Sequence, residues 1–370
     1  MSTIEAPQGA VGAWFEERLR ASRLFAALLH VRIPASAATY FLGGTTLFLF
    51  GVQVITGTLL ALYYKPTPET AYDSVKTITS VVDFGWLIRS VHHWGAQLMI
   101  VSLVLHLLRV FVQGAYKYPR ELTWVFGVLL LAVTIGFGFT GYLLPWDQRA
   151  FWATTVGTEI AGAVPFMGAA LLSLLRGGAD VTDATLGRFF GMHVLVLPLV
   201  LGLLVMVHLT IVHQLGLASP KHPEPRPARR GEIASPVKEP LKPFFPHYVL
   251  DEVIAWAAVL AVLVVLASVF PAGLEDKADP LVTPAHIKPE WYFLAVYQLL
   301  KVVSPLSALG ADVPRLVGVL IPIVALLVLL LLPFLDRNPA VAKRKRPIAL
   351  GLAVITLAGM VALTVWGQVS

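Results

Sequence analysis

No cysteine occurs among the 370 residues, so the chain has no thiol for a disulfide, a thiolate metal site or a covalent link to a cofactor. Charge is nearly as scarce, at 14% of residues against 57% hydrophobic ones. Together with a mean hydropathy of +0.75, this excludes an ordinary soluble domain and places the protein in a lipid bilayer. Seven stretches lack any Asp, Glu, Lys or Arg: 33–64, 90–108, 122–146, 189–220, 253–274, 316–335 and 347–370. Each supplies the roughly 20 residues that an apolar core about 30 Å thick requires. Two shorter apolar pieces, 160–175 and 289–300, are too short to cross and are expected as helices at a membrane surface. The first thirty residues show no short apolar core with a small-residue cleavage site, and their amphipathic character (Trp14, Phe15, Glu16, Glu17, Arg18) suits a surface segment over 1–32.

The few basic residues are unevenly shared. With seven spans, the N-terminal segment and the second, fourth and sixth connections hold seventeen Lys and Arg, and the other connections hold seven. The N-terminus is therefore expected in the cytoplasm and the C-terminus outside. The expected fold is an all-α membrane protein: a four-helix bundle over 33–215, a cytoplasmic linker over 216–249, and a three-helix part over 250–370. The linker is rich in Pro and Arg, a composition that suits orientation and anionic lipid heads better than nucleic acid.

Two histidine pairs stand inside these uncharged runs. His92 and His106 are fourteen residues apart in the second span, and His193 and His208 are fifteen apart in the fourth. On a helix the members of each pair lie roughly 21–22 Å apart, with angular offsets of about −40° and +60°, so both face broadly one way. Two such helices could clamp a flat iron macrocycle near each membrane surface, His92 with His193 on the outside and His106 with His208 on the inside. Two axial imidazoles leave the iron no open position, which suits electron transfer. His93 adjoins His92 but points about 100° away, and spacing alone does not choose between them. Gly43 and Gly57 in the first span, and Gly127 and Gly141 in the third, repeat the fourteen-residue interval at the same two depths, where a missing side chain admits a bulky ring. Arg89 and Arg109 flank the second span, where haem carboxylates need cations.

The runs Phe84-Gly85-Trp86-Leu87-Ile88-Arg89-Ser90-Val91-His92, Arg120-Glu121-Leu122-Thr123-Trp124, Gly141-Tyr142-Leu143-Leu144-Pro145-Trp146-Asp147-Gln148 and Pro289-Glu290-Trp291-Tyr292 closely resemble cytochrome b of the quinol:cytochrome c oxidoreductase (cytochrome bc) family. The resemblance extends from about residue 10 to residue 368. The fifteen-residue histidine spacing and Pro145-Trp146-Asp147-Gln148 are similar to the split, chloroplast-type branch, whose smaller subunit would correspond to the chain from about residue 240 onward. That branch tethers an additional haem to a cysteine, and Phe41 stands at the apparent position here, so no covalent third haem is expected.

The resemblance implies two non-covalent b-type haems, ligated by His92 with His193 and by His106 with His208, with Gln53 beside the outer one. It implies quinol oxidation between the outer haem and the Pro289-Glu290-Trp291-Tyr292 loop, with Phe139, Tyr142 and Tyr297 in the wall and Glu290 as proton acceptor. It also implies quinone reduction on the inner side near His213, Asp251 and Glu252, and proton translocation driven by the two reactions. The implied partners are a Rieske-type iron–sulfur protein, a c-type cytochrome, quinone, membrane lipid and a second copy of the complex. The implied location is a bacterial plasma membrane. Two other readings of the histidines are a di-haem membrane anchor for another quinone-linked dehydrogenase and a proton-coupled transporter.

Overall fold

The computed structural model describes residues 31–34, 41–218, 241–284 and 287–370. The expected N-terminal surface segment and most of the linker lie outside the described residues. Twelve α-helices follow in order: α1 (Phe41–Ala61), α2 (Ala71–Ser80), α3 (Gly85–Val112), α4 (Glu121–Tyr142), α5 (Gln148–Gly162), α6 (Gly168–Arg176), α7 (Asp183–Gly191), α8 (Leu197–Leu215), α9 (Val249–Val269), α10 (Trp291–Val302), α11 (Val313–Leu335) and α12 (Pro347–Val369). A short antiparallel pair, β1 (Arg32–Pro34) with β2 (Leu241–Pro243), brings the start of the described chain to the foot of α9.

Among the described residues seven helical segments are long and apolar enough to cross a membrane: α1, α3, α4, the continuous Asp183–Leu215, Phe244–Val269, α11 and α12. Each of the seven charge-free runs of the sequence overlaps one of these segments. Five segments begin earlier than their runs; among them α3 continues through Arg89, and Phe244–Val269 includes Asp251 and Glu252. The two shorter apolar pieces fall on short helices, α6 and α10 among them.

The bundle packs around Leu49 of α1, Val91 and Met99 of α3, Leu130 of α4, Leu201 of α8, and Leu263 and Ala267 of α9. Its outward surface is equally apolar, as at Ile55, Leu199 and Val265, which is what lipid as solvent requires. At one end a polar clasp joins the α3–α4 connection to the α11–α12 connection. Arg346 is 1% exposed and lies 5.2 Å from the ring centres of both Phe111 and Tyr116. Its guanidinium donates to the Phe111 carbonyl at 3.1 Å and the Tyr116 hydroxyl at 2.9 Å. Tyr116 in turn donates to Asp336, which pairs with Lys117 at 2.8 Å. Burial alone would raise the Asp336 carboxyl, but the hydrogen bonds from Lys117 and Tyr116 hold it below the usual range.

The opposite end is closed by α5. Asp147 caps it, accepting from the Ala150 backbone N–H at 2.9 Å, while Gln148 N–H donates to the Asp276 carbonyl at 2.9 Å. These bonds stitch the loop after α4 to the loop after α9, so the three-helix part is tied to the bundle at both ends.

Candidate functional site

The histidines form two layers. In one, His92 of α3 and His193 of the α7–α8 segment bring their ring centres to 6.2 Å. Gly57 faces His92, where an added Cβ would stand 3.1 Å from Cε1, and Gly141 faces His193, where it would stand 2.5 Å away. In the other layer Gly43 faces His106 and Gly127 faces His208, with the corresponding distances 3.2 and 3.6 Å. Antiparallel α1 and α3, and antiparallel α4 and α8, thereby set two histidines and two glycines at each of two depths. His92, not His93, meets the histidine of the fourth span; His93 turns its ring edge toward Trp94.

The unequal spacing of the two pairs has a local cause. Residues Met192–Val196 form a π turn in which the Leu197 N–H bonds to the Met192 carbonyl, five residues back. Pro198, next in line, has no N–H to close an ordinary turn. One extra residue is absorbed there. Fifteen residues then bring His193 and His208 to the same face of α4 that fourteen would reach on a regular helix.

Hydrogen bonds select which ring nitrogen each histidine of the first layer offers. Thr56 donates its hydroxyl proton to the Val52 carbonyl at 2.7 Å, so toward His92 Nδ1, at 2.9 Å, it can only accept. Thr140 does the same, donating to the Gly136 carbonyl at 2.9 Å and facing His193 Nδ1 at 3.2 Å. Both rings therefore carry the proton on Nδ1 and leave Nε2 free to ligate. Bonds of about 2 Å from an imidazole nitrogen to a metal, plus roughly 1.1 Å from nitrogen to ring centre, put two rings on one metal about 6.2 Å apart. The observed separation fits. Among the described residues no group of three or more His, Cys, Asp or Glu converges. His106 Nδ1 has no hydrogen-bond partner among the described residues, while His208 lies within reach of the Thr123 backbone.

The supporting residues are disposed unequally. Gln53 turns its amide nitrogen, buried and without a hydrogen-bond partner among the described residues, toward Gly95 between the layers. Arg89 donates to the Ala272 and Gly273 carbonyls at 2.7 and 2.5 Å, and Arg109 sits in the last turn of α3 within electrostatic reach of His106.

Beyond the first layer lies the Pro289-Glu290-Trp291-Tyr292 segment, with Glu290 at the N-terminal end of α10. The Tyr142 hydroxyl is buried without a partner among the described residues and lies within electrostatic reach of Glu290. Phe139 packs edge-on against Phe189 and Phe293, at 5.4 and 6.1 Å, and Tyr297 donates weakly to the Ile287 carbonyl at 3.4 Å. Phe139, Tyr142 and Glu290 thus lie near one another beside the first layer. Gln97 of α3, which the sequence reading passed over, joins them by hydrogen bonds to both Glu290 and Trp291.

Toward the second layer, His213 is exposed at the end of α8, and no hydrogen bond or ion pair among the described residues joins it to Asp251 or Glu252. Asp251 pairs with Lys242 at 2.5 Å. Glu252 is buried at 6% exposure, accepts from the Tyr248 hydroxyl at 2.5 Å, and fills the space left by Gly44. The doublet Gly43-Gly44 was the available sign: one glycine makes room for the His106 ring and the next for a carboxylate.

Residues 30–216 match the family described as cytochrome b/b6/petB, and residues 277–370 match cytochrome b(C-terminal)/b6/petD. The cytochrome bc complex cytochrome b subunit of Chlorobaculum thiosulfatiphilum is 40% identical over 358 residues, 96% of this chain and 80% of that protein. Cytochrome b of Cereibacter sphaeroides is 35% identical over 92% of this chain and 79% of its own length. Cytochrome b6 of Emiliania huxleyi is 44% identical but spans only 56% of this chain, at 97% of its own length. A solved chain of a hyperthermophilic respiratory complex III superimposes with a TM-score of 0.82 at 34% identity, covering 96% of this chain and 91% of that one.

Proposed function

This chain belongs to the cytochrome b/b6 family of haem-binding, multi-pass membrane oxidoreductase subunits, and on that premise we propose that it oxidises quinol at the outer membrane face and returns electrons to quinone at the inner face, coupled to proton translocation. The observation that carries the proposal is the pair of layers, each with two histidines opposed by two glycines at matched depths. His92 and His193 would hold one b-type haem, and His106 and His208 the other. When bound, the two haems supply one-electron transfer across the apolar core.

The chain's own part is to bind quinol, exclude water and move a proton. Phe139, Tyr142, Tyr297 and the Pro289 loop form the wall, and Glu290 takes a hydroxyl proton: the quinol O–H bond breaks and a carboxyl O–H bond forms. On the inner side His213, Asp251 and Glu252 would serve proton uptake during quinone reduction. A Rieske-type iron–sulfur protein and a c-type cytochrome would receive electrons outside, in a dimeric complex of a bacterial plasma membrane with the N-terminus in the cytoplasm. A simpler di-haem anchor or a transporter would leave the match over residues 277–370 without a purpose.

Purified protein should give a b-type reduced-minus-oxidised spectrum, and absence of haem would overturn the proposal. Glu290→Gln should slow quinol oxidation by about a hundredfold with the spectrum intact. An unchanged rate would remove Glu290 from the role.

A further inference from the structure

Gln97 lies on α3, five residues after His92, and projects toward the start of α10. The Trp291 indole N–H donates to its Oε1 at 2.6 Å. An indole nitrogen only donates, so this bond fixes which end of the Gln97 amide faces Trp291. The other end, Nε2, then faces Glu290 Oε2 at 3.4 Å. An amide NH2 only donates, so toward Glu290 it presents protons and never a lone pair. The two partners are consecutive in sequence, at the last loop position and the first helical position of α10. One side chain from the haem-bearing bundle thus grips both sides of that junction.

We propose that Gln97 is a positioning residue for quinol oxidation: anchored by Trp291, it holds the Glu290 carboxylate on the α3 side with a lone pair toward the substrate. The inference rests on the role given above to Glu290. The strong arm is the Trp291 bond. The longer arm to Glu290 is at the outer limit of a hydrogen bond, so it orients the carboxylate without locking it. Because both arms belong to one rigid amide, a shift of α10 against α3 is transmitted directly to the carboxylate. His93, one turn earlier on α3, lies within electrostatic reach of Glu290, and Tyr142 and Arg149 face the same carboxylate from α4 and α5.

The test uses the assembled complex with Gln97→Met, which removes both arms, and Gln97→Glu, which keeps an acceptor for Trp291 but withdraws the donor from Glu290. Each is made alone and with Glu290→Gln. Alone, each should lower kcat for quinol oxidation by about tenfold, the loss of one hydrogen bond to a charged group, with KM little changed and the haem spectrum intact. The redox-induced infrared band of the Glu290 carboxyl should shift in both. Combined with Glu290→Gln, Gln97→Met should cause no further loss. Wild-type kcat in both single variants, or a full additional loss in the double variant, would overturn the proposal. If Glu290→Gln alone leaves the rate unchanged, the Glu290 role fails instead, and the infrared shift in Gln97→Met still decides whether Gln97 holds the carboxylate. Should Gln97→Met fail to assemble, Gln97→Glu, equal in size, carries the same comparison.

Discussion

The four layer glycines should not respond alike to one added methyl group. At Gly127 the alanine Cβ would meet His208 at 3.6 Å, an ordinary contact, and the substitution should be neutral or stabilise α4 by roughly 0.5–1 kcal/mol through helix propensity. At Gly43 and Gly57 the contacts of 3.2 and 3.1 Å require the facing imidazole to yield by a few tenths of an ångström. At Gly141 three ring atoms of His193 would lie at 2.5, 3.0 and 3.1 Å, so the ring must move by about 1 Å. That movement breaks the Thr140 bond and spoils the 6.2 Å separation from His92. Overpacking of this kind costs about 1–3 kcal/mol, which corresponds to roughly five- to hundredfold in haem affinity. Haem content and low-temperature difference spectra of the four alanine variants provide the assay. The expected order of loss is Gly141, then Gly57 and Gly43, then Gly127, with Gly141→Ala depleting only the signal assigned to the His92–His193 layer. Equal losses at all four positions, or depletion of the other layer by Gly141→Ala, would refute the reasoning.

Arg346→Met should cost about 3–5 kcal/mol, because it leaves the Phe111 carbonyl and the buried end of Tyr116 unmatched; thermal unfolding in detergent measures this, and a midpoint within 1 °C of wild type would contradict it. The Asp336 carboxyl is held below its ordinary range, so its stabilisation is present above about pH 4, the unfolded value, and is lost as pH falls through the lower folded value. The midpoint difference between wild type and Asp336→Asn should therefore be flat from about pH 5 to 8 and shrink in acid; a difference that grows in acid would reverse the assignment. Gly44→Ala drives a methyl group into the Glu252 carboxylate and should destabilise the protein by about 1–3 kcal/mol, with Glu252→Ala in the same chain restoring the space. A double variant no more stable than Gly44→Ala alone would show that the crowding lies elsewhere.

The parts of this molecule that were legible in the sequence are those written at short range. Hydropathy gives the spans because every residue in lipid must be apolar or satisfied within its own helix, and helical periodicity gives the two depths of histidine and glycine. What stayed hidden depends on partners far apart in sequence: Gln97 with Trp291, separated by 194 positions, and Arg346 with Phe111, separated by 235. Span boundaries were hidden for another reason, since Arg89 and Glu252 continue helices that a charge-free criterion cuts short. Spacing did not choose between His92 and His93; the family resemblance did, and the ring that faces His193 is that of His92. The fifteen-residue interval is the instructive intermediate. As a count it looks like an angular mismatch of about 100° with the fourteen-residue pair. The π turn at Met192–Val196, set beside Pro198, removes that mismatch within one turn of the ligating position itself. On a regular helix fifteen residues leave the two rings about 60° apart, on broadly one side; the π turn brings them to the alignment that a segment without the extra residue would reach directly.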